Sequence, residues 1–291
     1  MAIFNLGSIN IDYVYRLDSL PLAGETVAAQ GFMVGLGGKG ANQSIAIAKA
    51  GGNVRHIGAV GDGAQWATAK MREAGVDVSE VKTVEAPTGH AIINVDSAAE
   101  NAIVLLEGAN GTIAKDQINA ALDTAVEGDW LLLQNETNNG PYAAQSAQAR
   151  GMKVAYSAAP FSKEAVSEIL PFADLLAVNE IEDEAIRAEL PEAAALLSKI
   201  LVLVTKGAAG AECIDGTTIT KVTAFKVTPV DTTGAGDTFL GYFLASLDNN
   251  ASMEQALKRA TAASAIQVTR EGAADAIPDV LEVTEFMEQT L

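Results

Sequence analysis

The sequence predicts a three-layer α/β/α sandwich with a mostly parallel central sheet, plus a small β-sheet lid. Three observations carry that expectation. Short apolar runs alternate with alanine-rich segments of helical spacing, the pattern of βαβ units. The 291 residues, 49% hydrophobic and 19% charged, suffice for a substantial core. Two stretches break the alternation, and both read as β-structure outside the main sheet.

In chain order, main-sheet strands are expected at residues 3–6, 54–60, 130–133, 153–156, 175–178 and 200–204. Helical spacing marks 43–50, 64–73, 116–125, 142–149 and 192–198, and then 238–247, 253–269 and 280–290 near the end. Residues 90–95 and 102–106 flank a polar turn at 96–101, as in an antiparallel hairpin. From residue 11 to about 36 no helical period is present, and β-compatible residues surround Pro21 and Gly24. These two segments, about 11–36 and 88–107, are expected to form the lid over a single domain spanning 1–291. No repeat, low-complexity tract or linker divides the chain.

Charge and cysteine content narrow the function classes. A net charge of −18 disfavours nucleic acid and anionic membranes as partners. An anionic substrate would need a local positive site. One cysteine, Cys213, cannot form an internal disulfide, and no Cys/His cluster suggests zinc. The start lacks the basic and apolar regions of a signal peptide, and no apolar run approaches the roughly 18 residues of a membrane span. A soluble, cytoplasmic and compact protein is expected.

In a parallel sheet, chemistry is sought beyond the carboxyl ends of the strands. The strongest motif is Asp231-Thr-Thr-Gly-Ala-Gly-Asp237, which leads into a helix. Gly234, Ala235 and Gly236 allow a tight turn with several amides aimed at one point, and the helix N-terminus adds positive potential. Asp237 reads either as a helix cap or as a base for a hydroxyl proton. A second motif, Gly35-Leu-Gly-Gly-Lys-Gly-Ala-Asn-Gln43, matches the dinucleotide pattern G-x-G-x-x-G, with Asp62 about 20 residues on. On that match rests a rival reading, a nucleotide-cofactor oxidoreductase. Lys39 and Asn42 suggest instead a donor cluster for hydroxyl groups, and no P-loop is present.

Three further groups follow strands. Asn10 and Asp12, two residues apart, point the same way in an extended segment. Glu136 lies just past a buried strand. Asn179-Glu-Ile-Glu182 opens a helix and reads as a cap with acids in the first turn, or as part of a site. The neighbouring Glu180, Asp183 and Glu184 read as a solvated helix start. His56, His90, Trp66, Trp130 and Cys213 read as packed or hydrogen-bonded residues.

In their order along the chain, these motifs resemble the ribokinase-like carbohydrate kinases, the phosphofructokinase-B group. The resemblance runs from Gly7-Ser-Ile-Asn-Ile-Asp12 to Asp231–Asp237 and the tail Val268-Thr-Arg-Glu-Gly-Ala273. It implies phosphoryl transfer from Mg·ATP to a sugar hydroxyl, ribose first, with another pentose, deoxyribose or a nucleoside as alternatives. Asp237 would be the base, and Gly234, Ala235 and Gly236 the anion hole. Asn10, Asp12, Gly38, Lys39, Asn42 and Glu136 match sugar-binding positions. Asn179 and Glu182 match the motif that organises magnesium and phosphates through water. Thr205, Lys206, Gly207, Gly210, Gly236 and Thr261 match nucleotide-binding positions. Asp231 and Thr233, with carbonyls near Arg270 and Gly272, match a monovalent-cation site that takes potassium. The lid would also form a homodimer contact. Three places depart from the family pattern: Tyr156-Ser-Ala-Ala-Pro160, Asn135 and Lys206. A sugar or nucleotide sensor without turnover is the non-enzyme rival.

Overall fold

The computed structural model describes residues 1–98 and 100–290; Ala99, within the expected turn, and Leu291 lie outside the described residues. The first third of the chain forms β1 (Ile3–Leu6), β2 (Asn10–Arg16), β3 (Gly31–Gly37), α1 (Lys39–Lys49), β4 (Val54–Gly61), α2 (Gln65–Glu73), β5 (Asp77–Val84), β6 (Gly89–Val95) and β7 (Asn101–Leu106). There follow α3 (Lys115–Leu122), β8 (Trp130–Leu133), α4 (Gly140–Gln148), β9 (Lys153–Ser157), α5 (Lys163–Ile169), β10 (Leu175–Asn179) and α6 (Glu180–Glu189). The last third holds α7 (Ala194–Leu197), β11 (Leu201–Thr205), β12 (Ala211–Asp215), β13 (Thr218–Val222), α8 (Ala235–Asp248), α9 (Met253–Gln267) and α10 (Val280–Thr290).

A nine-stranded sheet runs in the order β13-β12-β11-β10-β9-β8-β1-β4-β5. The stretch from β11 to β5 is parallel, and β12 and β13 add an antiparallel edge. Strand periodicity sorts the core into two layers. Ile3, Trp130 and Leu132 face one side with Ile45, Phe243 and Ala260 of α1, α8 and α9. Phe4, Leu6, Leu131 and Leu133 face the other, with Ile118 of α3 and Ala143 and Ala147 of α4. Each large side chain so buried contributes about 1.5–3 kcal/mol. Asn5 and Gln134 are polar exceptions in these buried runs, at 0% and 2% exposure.

The sheet changes direction at β1. The chain first extends it through β4 on one side and later through β8 on the other, leaving a crevice beyond the end of β1. A separate four-stranded sheet, β3-β2-β6-β7, begins there because Asn10 of β2 follows β1 almost directly. The head of α1 is drawn against the same point. A Cβ on Gly40 would lie 2.3 Å from the Ser8 nitrogen, so only glycine permits this approach.

The expected strands all form, within a residue or so of their limits. Helix limits shift more. α1 and α8 begin at Lys39 and Ala235, earlier than 43 and 238, because the glycines preceding their apolar runs already take helical geometry. The helix expected over 192–198 is reduced to α7 by Pro191, which opens a 3₁₀ turn instead. β5, β13 and α5 are additional: β5 carries alternating exposed polar residues, and α5 is only seven residues long. Trp66 is a correction, since its side chain is 39% exposed on α2, whereas Trp130 is buried. His56 is buried between Ser44 and the Gly7 carbonyl, and burial lowers its pKa to about 4.

Candidate active site

At the β1 crevice, side chains from five segments converge. The Glu136 carboxylate, just beyond β8, accepts hydrogen bonds from the Ser8 hydroxyl and, at 3.0 Å, from the Lys39 amide. The Lys39 ammonium stands 3.9 Å from its other oxygen. Asn10 Oδ1 accepts from Asn110 Nδ2 at 2.7 Å, which fixes the amide orientation and leaves the Asn10 NH₂ turned away from Asn110. Asp12 lies against the Cα of Gly37, where a Cβ would fall 2.0 Å from its carboxylate. Burial, and then the charge of Glu136, push Asp12 up to about 6. Gly38 carries the chain from β3 into α1 at φ +90°, beside Ser8 and the Asn10 amide.

Asp237 is the most enclosed acid of the cleft, at 8% exposure. Its Oδ2 accepts from Asn42 Nδ2 at 3.0 Å and its Oδ1 from Gln43 Nε2 at 2.8 Å. Burial raises its pKa against the opposing effects of Lys39, Asn42 and Gln43. The capping reading of Asp237 is corrected: Gly234, at φ 75°, is the N-cap of α8, and Asp237 stands three residues inside. Sequence alone mistook the helix start because Gly234 caps through its backbone and leaves no side-chain signal. The Ala235 amide donates to the Thr232 carbonyl at 3.2 Å. The Gly236 and Asp237 amides, in the first helical turn, have no residue four back within the helix to accept from them. The Asn42 Oδ1 atom is buried without a partner.

From Asp237 a cleft extends past Gly236, Thr232, Ser157 and Thr205, with Asn179 and Glu182 on its wall. Asn179 and Glu182 form a reciprocal capping box on α6, at 2.8 and 2.9 Å. One Glu182 oxygen remains outside the box, and burial raises the carboxyl's pKa. Thr205 lines the cleft, while Lys206 turns away to bond Glu212 at 3.0 Å. Gly207 opens a short 3₁₀ turn, and Gly210 closes it where a Cβ would meet the Val222 carbonyl at 2.0 Å. Thr261 is buried in α9, its hydroxyl donating to the Leu257 carbonyl at 2.7 Å.

Beyond Gly234, Asp231 ties two loops together by accepting from the Thr233 amide at 2.9 Å and the Gly272 amide at 3.0 Å. Burial opposes ionisation there, yet these bonds and Arg16 leave its pKa lowered. The Thr233 carbonyl accepts from Gln267 at 2.9 Å, and Arg270 pairs with Glu282. The structure corrects the dinucleotide match: Gly35 and Gly37 belong to β3, which pairs antiparallel with β2 in the small sheet, and Asp62 is exposed after β4. Sequence reasoning passed over Ser8, Asn110, Gln43 and Gln134. Asn5 and Gln134 had a visible signal, since Asn5 interrupts and Gln134 ends an apolar strand run whose other members are buried.

A family profile described as pfkB family carbohydrate kinase matches residues 2–280. Ribokinase of Haemophilus influenzae is 34% identical over 298 residues, covering 97% of each chain. The crystal structure of ribokinase from Thermotoga maritima is similar with a TM-score of 0.90 at 33% identity, covering 99% of both chains. The Arabidopsis thaliana ribokinase complexed with ribose and ATP gives 0.83 at 27% identity, covering 99% of this chain and 98% of that one.

Proposed function

The chain belongs to the pfkB family of carbohydrate kinases, and from that membership we propose that it transfers the γ-phosphoryl group of ATP to ribose. It is a phosphotransferase with an alcohol group as acceptor. One observation carries the chemical reading: a buried carboxylate, Asp237, held by two amides at the head of α8, where the crevice beyond β1 meets the cleft. Asp237 takes the proton of the sugar hydroxyl as that oxygen forms its bond to the γ-phosphorus and the bond to ADP breaks. Its raised pKa brings the base nearer working pH. The Gly234–Ala235–Gly236 turn supplies positive potential, with Gly236 and Asp237 as the available amide donors.

Asn10, Asp12, Gly38, Lys39, Asn42 and Glu136 hold the sugar hydroxyls; the unpartnered Asn42 Oδ1 is supportive, since a buried acceptor without a partner costs about 1–3 kcal/mol. Asn179, Thr205, Lys206, Gly207, Gly210 and Thr261 mark the nucleotide side. Glu182 fits Mg²⁺ held through water and phosphates: it offers one carboxylate oxygen outside its capping box. Mg²⁺ would supply neutralising charge. Asp231, Thr233, Arg270 and Gly272 suit K⁺, because Asp231 keeps an ionised carboxylate between two backbone loops.

In this reading the chain is one domain, 1–291, with the small sheet as lid, working in the cytoplasm. The lid would join a homodimer: Ile103, Val104 and Leu105 of β7 are 51%, 62% and 66% exposed, and Phe32 and Met33 of β3 are exposed as well. The test is ADP release from Mg·ATP in K⁺ buffer, with ribose set against deoxyribose, other pentoses, hexoses and nucleosides. Ribose-dependent release is expected. Release with another acceptor and none with ribose would reassign the substrate, and sugar binding with no ADP from any acceptor would make the protein a sensor.

A further inference from the structure

Behind Asp237 lies a line of buried amides. Gln43 Nε2 donates to Asp237 Oδ1 at 2.8 Å, and Gln43 Oε1 accepts from Gln134 Nε2 at 2.7 Å. The same Gln134 nitrogen donates to Asn5 Oδ1 at 2.9 Å. Asn5 Nδ2 in turn donates to the Gly40 carbonyl and the Ser44 hydroxyl, both at 2.9 Å. Gln43, Gln134 and Asn5 are at most 2% exposed.

This connectivity fixes every amide orientation. Asn5 must turn its NH₂ to a carbonyl, so its oxygen faces Gln134. Gln134 must therefore present its NH₂ to both neighbours, which leaves its own oxygen as a buried orphan. Gln43 then has one possible pose, oxygen toward Gln134 and NH₂ toward the carboxylate. A buried orphan acceptor is unfavourable, so packing alone does not account for this choice of glutamine at 134. Donation into the Gln43 oxygen polarises its N–H toward Asp237.

We propose that Gln43, oriented by Gln134 and Asn5, positions the Asp237 carboxylate and favours its ionised form, so that residues outside the sugar pocket set the base. Gln43 and Gln134 are positioning residues and act through Asp237; the proposal rests on the reading of Asp237 as the base. Asn42 holds the other oxygen from the substrate side, so the carboxylate is gripped from two faces of α1.

The test compares Gln43→Met and Gln134→Met with the wild-type enzyme in kcat against pH, with thermal melting as a check on folding. Loss of the Gln43 donor is expected to lower kcat at neutral pH and move the acid limb upward by about one pH unit, with the KM values for ATP and sugar within about twofold. Gln134→Met should move the limb the same way by less, since it leaves the Gln43 donor in place. Folded Gln43→Met enzyme with an unmoved limb would overturn the proposal, as would a kcat loss equal at every pH. If Gln43→Met does not fold, an unmoved limb in Gln134→Met overturns it instead. Wild-type turnover in Asp237→Asn would bring down the reading of the base itself, a result distinct from both.

Discussion

The proposed sugar end and the proposed nucleotide end of the cleft are built from different material. Around the β1 crevice, Asn10, Asn42, Glu136, Lys39 and Asp237 are side chains bonded to one another or to neighbouring polar groups, with Asp237 and Asn42 buried. At the far end, the turn from Lys206 to Gly210 offers mostly backbone. Lys206 is drawn off by Glu212, and the Thr261 hydroxyl is bonded within its own helix. Polar side chains enclosed at low dielectric discriminate strongly and tolerate little change, because removal of one leaves its partner buried and unpaired. A backbone turn discriminates by shape and is indifferent to most side chains along it. Substitutions should therefore be far more damaging at the first end than at the second.

Asp237→Asn gives the sharpest contrast. It keeps the shape of the side chain and removes the proton acceptor, so kcat should fall by about 10²–10⁴-fold or more while calorimetry finds ATP binding intact. Loss of nucleotide affinity in that variant would mean the two ends are not separable. A middle-sized effect is expected from pH. Asp12, raised to about 6, is ionised above that value, where it would accept hydrogen bonds from the sugar hydroxyls of the proposed site. Below pH 6 it becomes protonated, so the sugar KM should rise about tenfold between pH 7 and pH 5, with the KM for ATP flat. Asp12→Asn should abolish that slope. Lys206→Ala should have the smallest effect, a change in the KM for ATP of no more than about fivefold, since Lys206 is bonded to Glu212 and does not line the cleft. A larger loss would show that Lys206 leaves Glu212 for the phosphates when ATP binds.

The same division decided what could be read from sequence. The main-sheet strands were legible because buried parallel strands are short continuous apolar runs, such as Trp130–Leu133. The hairpin of β6 and β7 was legible from its polar turn. β5 and α5 were not, since β5 is half exposed at an edge and α5 spans only seven residues. In the site, Asp237, Lys39, Asn42 and Glu136 stood out because charged or amide groups beside glycines at strand ends have few structural uses. The bond of the Ala235 amide to Thr232 and the Gly234 cap were illegible, as both are backbone arrangements. Gln43 lay within a motif quoted for other reasons. Its bond to Asp237 depends on helix α1 packing against α8, a tertiary fact that local pattern does not encode.

That packing has a consequence for when the enzyme comes into being. Asn42 and Gln43 meet Asp237 across 195 and 194 residues of chain. During synthesis α1 emerges early and waits, its partner helix not yet made. Contacts of such long sequence separation close late, after most of the sheet has been laid down. On the proposed reading of Asp237, catalytic competence is thus one of the last properties the nascent chain acquires, and a fragment released before α8 would carry most of the proposed sugar pocket without its base.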